Sequence, residues 1–208
     1  MFDWHSHSIA AGRRNEDRLC VVELANAIVA ILADGAGGTG DGAVAATVAV
    51  EHCAKVARHE PPASVQACIE LLLATDQKVL GNTAGGETTL VVAVLANGIV
   101  HGASVGNSIA WIVPDAEEPV DLTQHQRRRP FVGSGAAVPV AFGPISCRGT
   151  LILASDGMHE YLPYAQLVAS MRGRRAGDAV AAAFAGLRER HRAVADDASL
   201  LVLRPRVR

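Results

Sequence analysis

The sequence predicts an α+β fold built on antiparallel sheets, and three observations carry that prediction. Several short apolar runs are bounded by glycine or aspartate, as buried strands are. Two pairs of helical patterns interrupt them, one after residue 40 and one after residue 156. The order is strands, two helices, strands, two helices and a last strand, which does not alternate as parallel βαβ units would.

The elements follow in chain order. His5 to Ile9 and Leu19 to Leu24 read as short strands around the charged turn Ala11-Gly12-Arg13-Arg14-Asn15-Glu16-Asp17, which by itself looks like a solvated hairpin tip. His5 and His7 alternate and so share one strand face, as ordinary strand histidines do. Ala27 to Ala33 is apolar throughout, the mark of a strand buried on both faces, and it stops at Asp34-Gly35-Ala36-Gly37-Gly38. A helix follows, with Ala45, Val48, Ala49, Cys53 and Val56 on its apolar face, and Pro61-Pro62 breaks it. Ser64 then caps a second helix that turns Val65, Cys68, Ile69, Leu72, Leu73, Val79 and Leu80 inward.

Glu87 to Ala96 and Ile99 to Val105 are strands joined by Asn97-Gly98, the strongest short hairpin signal in the chain, and Ile109 to Val113 extends the meander. Pro114 to Phe142 is polar and aperiodic and reads as a surface loop; its Arg127-Arg128-Arg129 run is expected on a solvated face. Thr150 to Ser155 forms a strand running into Asp156-Gly157. Helices around Pro163 to Met171 and through Val180, Ala183, Phe184, Leu187 and His191 precede the strand that begins after Asp196-Asp197, and regular structure ends at Pro205.

Composition bounds the function. Half of the 208 residues are hydrophobic and 19% are charged, so one globular domain over 1–208 is expected. With 19 basic and 21 acidic residues, no charge excess points to nucleic acid or to an anionic membrane. The four cysteines lie apart, without a Cys-x-x-Cys pair, which fits reduced thiols better than a disulfide frame or a zinc site. The first residues lack the pattern of a signal peptide, and no apolar run approaches the roughly 20 residues of a membrane span, so a soluble cytoplasmic protein is expected.

The chemistry lies in the aspartates. Asp34, Asp156 and Asp196 each stand at one end of an apolar strand. A single one would be read as a turn cap. Should the three ends converge, clustered anions without basic partners call for a cation, and oxygen-only ligation favours Mg²⁺ or Mn²⁺ over Zn²⁺. Gly35 to Gly42 does not end in the Gly-Lys-Ser/Thr of a phosphate-binding loop, which argues against a nucleotide site.

Six motifs in order resemble the PP2C, or PPM, family of metal-dependent protein phosphatases. They are Asn15-Glu16-Asp17, Asp34-Gly35-Ala36-Gly37-Gly38, Gly86-Glu87-Thr88-Thr89, Gly106-Asn107-Ser108, Ser155-Asp156-Gly157 and Asp196-Asp197-Ala198-Ser199. The resemblance implies an αββα sandwich of two antiparallel sheets flanked by helix pairs, with a centre of two Mn²⁺ or Mg²⁺ ions at one end. It implies that Asp34 bridges the ions, that the Gly35 carbonyl binds one, that Asp156 and Asp196 hold the other, and that Glu16 and Asp17 act largely through water. Gly35, Gly37 and Gly38 would let the backbone turn tightly beside them. An activated water would then hydrolyse phosphoserine or phosphothreonine in a protein, a Ser/Thr kinase or its targets among the substrates. The family's phosphate-gripping arginine falls on Arg13, with Arg14 as its rival, so Arg13, Asp34 and Asp156 are the expected catalytic residues. Asn107 replaces an aspartate that can serve a third ion, Ile109 an arginine, and Gln124 another aspartate. A PPM-like domain that binds phosphoproteins without hydrolysing them is the competing reading. His159 is expected at a helix start on the surface and not as a general acid, and His101 and His125 as ordinary surface residues.

Overall fold

The computed structural model describes residues 2–82, 84–191 and 194–205, with the backbone but not the side chain of Thr39. The stretch beyond Pro205, where regular structure was expected to stop, lies outside them. One sheet has the order β1(Phe2–Ile9), β12(Ala198–Pro205), β11(Thr150–Ala154), β8(Ile109–Val113), β9(Val120–Asp121); the other is β10(Val140–Ser146), β7(Ile99–Val105), β6(Leu90–Ala96), β3(Ala27–Ala33), β2(Arg18–Glu23). All pairings in both sheets are antiparallel.

Strand periodicity explains the layers. On β3, Val29, Ile31 and Ala33 pack beneath the helices α1(Gly42–His59) and α2(Val65–Leu80), while Ile28, Ala30 and Leu32 enter the seam between the sheets. On β12, Leu200 and Val202 face the helices α3(Asp156–His159), α4(Tyr164–Met171) and α5(Ala176–Arg190), and Leu201 and Leu203 face the seam. The result is a four-layer αββα sandwich in which β3 and β6, at the centre of one sheet, are apolar on both sides.

Helix starts follow the expected chemistry. Asp41 Oδ1 accepts from Val44 N at 3.0 Å to cap α1, and Ser64 Oγ accepts from Ala67 N at 3.1 Å to cap α2. The buried face of α2 differs from expectation. Leu73 and Leu80 are 43% and 51% exposed, and Leu71, Thr75 and Asp76 turn inward instead.

Four further elements depart from the expected layout. β1 and β2 belong to different sheets, so the turn between them is a crossover and not a hairpin tip. Gly35–Gly40 is a strand, β4, paired with β5(Gly85–Thr88); the single strand expected from Glu87 to Ala96 is thereby split, with Thr89 between β5 and β6. β8 leaves the meander for the other sheet. The expected loop from Pro114 to Phe142 contains β9 and the start of β10.

Candidate active site

Register brings the acidic turns to one end of the sandwich. Arg18 pairs with Ala33, which sets Asp17 beside Asp34; Ala154 pairs with Leu200, and Ile9 with Ala198, which brings Asp156 and Asp196 to the same edge. There Glu16, Asp34, Gly35, Asp156 and Asp196 line a cleft of about 240 Å³ together with Thr89, Asn107, Arg128 and Arg129. Asp17 lies just beneath, 4% exposed. The carboxylates ring an open cleft: among the described residues, no three histidine, cysteine or acidic side chains close into a ready-made metal cage.

Asp34, Asp17 and Asp197 are tied to polar groups from distant chain. The Asp34 backbone is clamped by two threonines: its N–H donates to Thr89 Oγ1 at 3.0 Å, and its carbonyl accepts from Thr89 N and Thr88 Oγ1, both at 2.8 Å. Asp17 Oδ2 accepts from Ser155 Oγ at 2.8 Å, and Ser155 Oγ accepts from Ser199 N at 2.9 Å. Asp197 takes the N–H groups of Ala11 at 2.7 Å and Glu16 at 2.5 Å, and so sets the crossover loop. Gly37 and Gly42 make room for the Glu16 carboxylate, since a Cβ on either would lie 2.9 or 2.8 Å from Glu16 Oε2. Gly38 has open space around it and carries no such requirement.

The electrostatics are those of crowded anions. Burial first, and then the charges of Asp17, Asp156 and Asp196, push the Asp34 carboxyl up to about 9. Burial raises Asp17 to about 7 against the opposing hydrogen bonds from Ser199 and Ser155. Asp196 and Glu16 are also raised, chiefly by burial. Asp17 Oδ1 is buried without a hydrogen-bond partner among the described residues. An all-oxygen donor set, an orphaned carboxylate oxygen and anions that cannot all ionise together fit hard divalent ions.

The basic residues are arranged differently from expectation. Arg13 is exposed and does not line the cleft, and Arg14 turns away to Asp41, Nη1 to Oδ2 2.7 Å. Arg128 and Arg129 line it instead. Their loop is pinned on both sides: Arg127 O accepts from Gly106 N at 3.2 Å, Thr88 and Val132 exchange backbone hydrogen bonds at 2.9 and 3.0 Å, and buried Asp76 Oδ1 accepts from Gly133 N at 2.7 Å. The Arg129 guanidinium stacks 4.7 Å above the Phe131 ring. The arginine run was the one available signal for these residues, and an exposed charge run looks the same on any solvated face.

Two of these histidines have structural partners. His159 is half-buried, not a surface residue, and donates from Nε2 to the Asn107 carbonyl at 3.1 Å; His101 donates from Nε2 to Pro62 O at 3.0 Å. His125 is exposed.

No protein-family model matches the sequence, and no curated protein matches it. Solved structures do. A bacterial serine phosphatase is similar at TM-score 0.83 and 16% identity, covering 98% of this chain and 97% of that one. The serine/threonine phosphatase Stp1 from Staphylococcus aureus gives 0.79 and 16%, over 100% of this chain and 96% of that one. The catalytic domain of serine threonine protein phosphatase PstP, in complex with 2 manganese ions, gives 0.80 and 16% over 97% of both. With its two antiparallel sheets, flanking helices and full-length superposition, the chain has the fold of the bacterial PPM serine/threonine phosphatases.

Proposed function

We propose that this chain hydrolyses phosphoserine and phosphothreonine in proteins with the help of two divalent ions, Mn²⁺ or Mg²⁺. The observation that carries the reading is the convergence of Asp34, Asp156, Asp196 and Glu16 from both sheets on one cleft, where burial and mutual repulsion raise the Asp34 carboxyl. In this reading Asp34, Asp156, Asp196 and the Gly35 carbonyl would hold the ions, with Glu16 and Asp17 beside them. When bound, the ions would acidify water and neutralise charge on the phosphoryl oxygens. A neighbouring fold, PstP, is described in complex with 2 manganese ions.

The chain's own residues supply the rest. Thr88 and Thr89 fix the Asp34 backbone, and Ser155 holds Asp17. Arg128 and Arg129 take the phosphate-gripping role assigned above to Arg13, because a guanidinium presents paired donors to phosphate oxygens. The cleft is small, open and lined almost wholly by polar groups, which suits a phosphorylated side chain on a protein surface better than an enclosed metabolite. Direct attack on phosphorus fits the cysteines. Burial pushes Cys53 and Cys68 up to about 12 and Cys147 up to about 11, and none lines the cleft, so no thiolate is at hand to form a phosphoenzyme.

Cytoplasmic phosphoproteins, a Ser/Thr kinase or its targets among them, are the proposed partners by analogy of fold. No helix among the described residues is long and apolar enough to cross a membrane.

The test is hydrolysis of p-nitrophenyl phosphate and of a phosphothreonine peptide, with Mn²⁺ or with EDTA, by the native chain, Asp34→Asn and Asp156→Asn. Turnover that needs metal and collapses in both variants supports the proposal. Metal binding without turnover would replace it with a phosphoprotein-binding module.

A further inference from the structure

Asn107 is gripped twice by a single helical turn. Its Nδ2 donates to Asp156 Oδ2 at 2.8 Å, and its backbone carbonyl accepts from His159 Nε2 at 3.1 Å. Asp156 and His159 are the first and last residues of α3. The turn that presents Asn107 is fixed as well. Gly106 sits at φ 103° with its Cα against Thr89, where a Cβ would come within 2.7 Å of Thr89 Cγ2, and Ser108 Oγ lies 2.7 Å from Thr89 Oγ1. Thr89 is also the residue that clamps Asp34. The 106–108 turn thus registers two carboxylates, one on each sheet, against each other.

We propose that Asn107 is a positioning residue. Its amide holds the Asp156 carboxylate in the cleft-facing orientation, and its neutrality limits the centre to two divalent ions. The proposal rests on the metal-dependent reading above. The physical argument turns on the donor. A carboxylate at 107 would have no proton to offer at neutral pH and would set a further anion where a 2.8 Å hydrogen bond now lies, beside Asp34, Asp156 and Asp196. Such a contact holds only with a proton or a cation between the two groups. The amide instead donates to one oxygen of Asp156 and adds no charge. Orienting partners of this kind change metal affinity about 10- to 100-fold when removed.

The experiment is calorimetric titration of the metal-free chain with Mn²⁺, for native protein, Asn107→Asp, Asn107→Ala and His159→Gln, each first shown to be folded by its thermal transition. The native chain should bind two ions. Asn107→Asp should bind one more ion per chain, a change that loss of packing would not produce. Asn107→Ala should keep two but bind them about tenfold more weakly. His159→Gln, which loosens only the backbone grip, should weaken binding in the same direction and keeps the test alive if the alanine variant does not fold. Two ions in native and aspartate proteins alike, with affinity unchanged in the alanine and glutamine variants, would overturn the positioning role and leave the phosphatase reading standing. Three ions in the native chain would overturn it too. No Mn²⁺ bound by the native chain would overturn both.

Discussion

At the end of the sandwich where β6 turns into β7, Asn97 and Gly98 adopt φ of 50° and 75°, the two-residue turn that matches strand twist, and Cys147 N donates to the Gly98 carbonyl at 2.8 Å. At the opposite end, beyond Ala33, Ala154 and the start of β12, the turns carry carboxylates whose partners come from far away in the chain. Ser155 reaches Asp17 across 138 positions, and Glu16 reaches Asp197 across 181. The first end is a tight turn whose shape its own two residues set, with Cys147 tying it to the neighbouring strand. The second gathers groups that repel one another, and the rest of the fold holds them there. A turn that opposes folding in the bare protein is a turn retained for its chemistry.

Breaking the acidic end should have the largest effect. Asp34→Asn and Asp156→Asn should each lower kcat on a phosphothreonine peptide by at least about 10²-fold, whereas Gly98→Ala should leave kcat alone; steady-state kinetics at saturating Mn²⁺ checks both.

The next effect separates the ends by pH. Asp17 and Asp34 are raised in the folded chain, so it binds more protons than the unfolded chain over the interval from their ordinary values near 4 up to about 7 and about 9. Their contribution is therefore complete below about pH 4 and is lost as pH rises through those values. In EDTA the midpoint of thermal unfolding should fall between pH 5 and pH 9, and Asp34→Asn should flatten that fall. Added Mn²⁺ should stabilise most at the alkaline end. A flat profile in EDTA would mean that the carboxylates are not in conflict.

Smaller effects follow. The pair Arg128→Ala and Arg129→Ala should raise KM for the phosphopeptide about tenfold, the worth of one charge-assisted hydrogen bond, while Arg13→Ala should not change it. Gly98→Ala should cost about 1 kcal/mol in urea unfolding, because an alanine Cβ has space there but not the backbone angle. Arg14→Ala, which removes an exposed ion pair with Asp41, should leave the unfolding midpoint within error.

What could be read in advance followed from local physics. β3 is apolar throughout and β11 and β12 are apolar at most positions because both faces are covered, and each has a carboxylate beside one end, so strands and acidic ends were visible together. Asn97-Gly98 and the Ser64 cap were equally plain. The assignment of β1 and β2 to different sheets was not, since β1 pairs with a strand about 190 positions later and leaves no trace in neighbouring residues. Arg128 and Arg129 gain their place from the Thr88–Val132 bridge and from Asp76, neither of which marks the arginines themselves. Leu73 and Leu80 fit the helical period but stay largely exposed on α2. Asn107 was legible as a poor ligand, while its role as a donor needed the position of Asp156.

The pairing of the first strand with the last has a consequence for synthesis. β12 lies between β1 and β11, and Asp196 precedes it by two residues. Until that segment has left the ribosome, β1 has no strand to pair with, the crossover loop lacks Asp197, and the cleft lacks one wall. Under the proposed function, a nascent chain would therefore lack the cleft that phosphoprotein hydrolysis needs. Completion of the cleft would wait until β12 has emerged and docked, a timing set by topology.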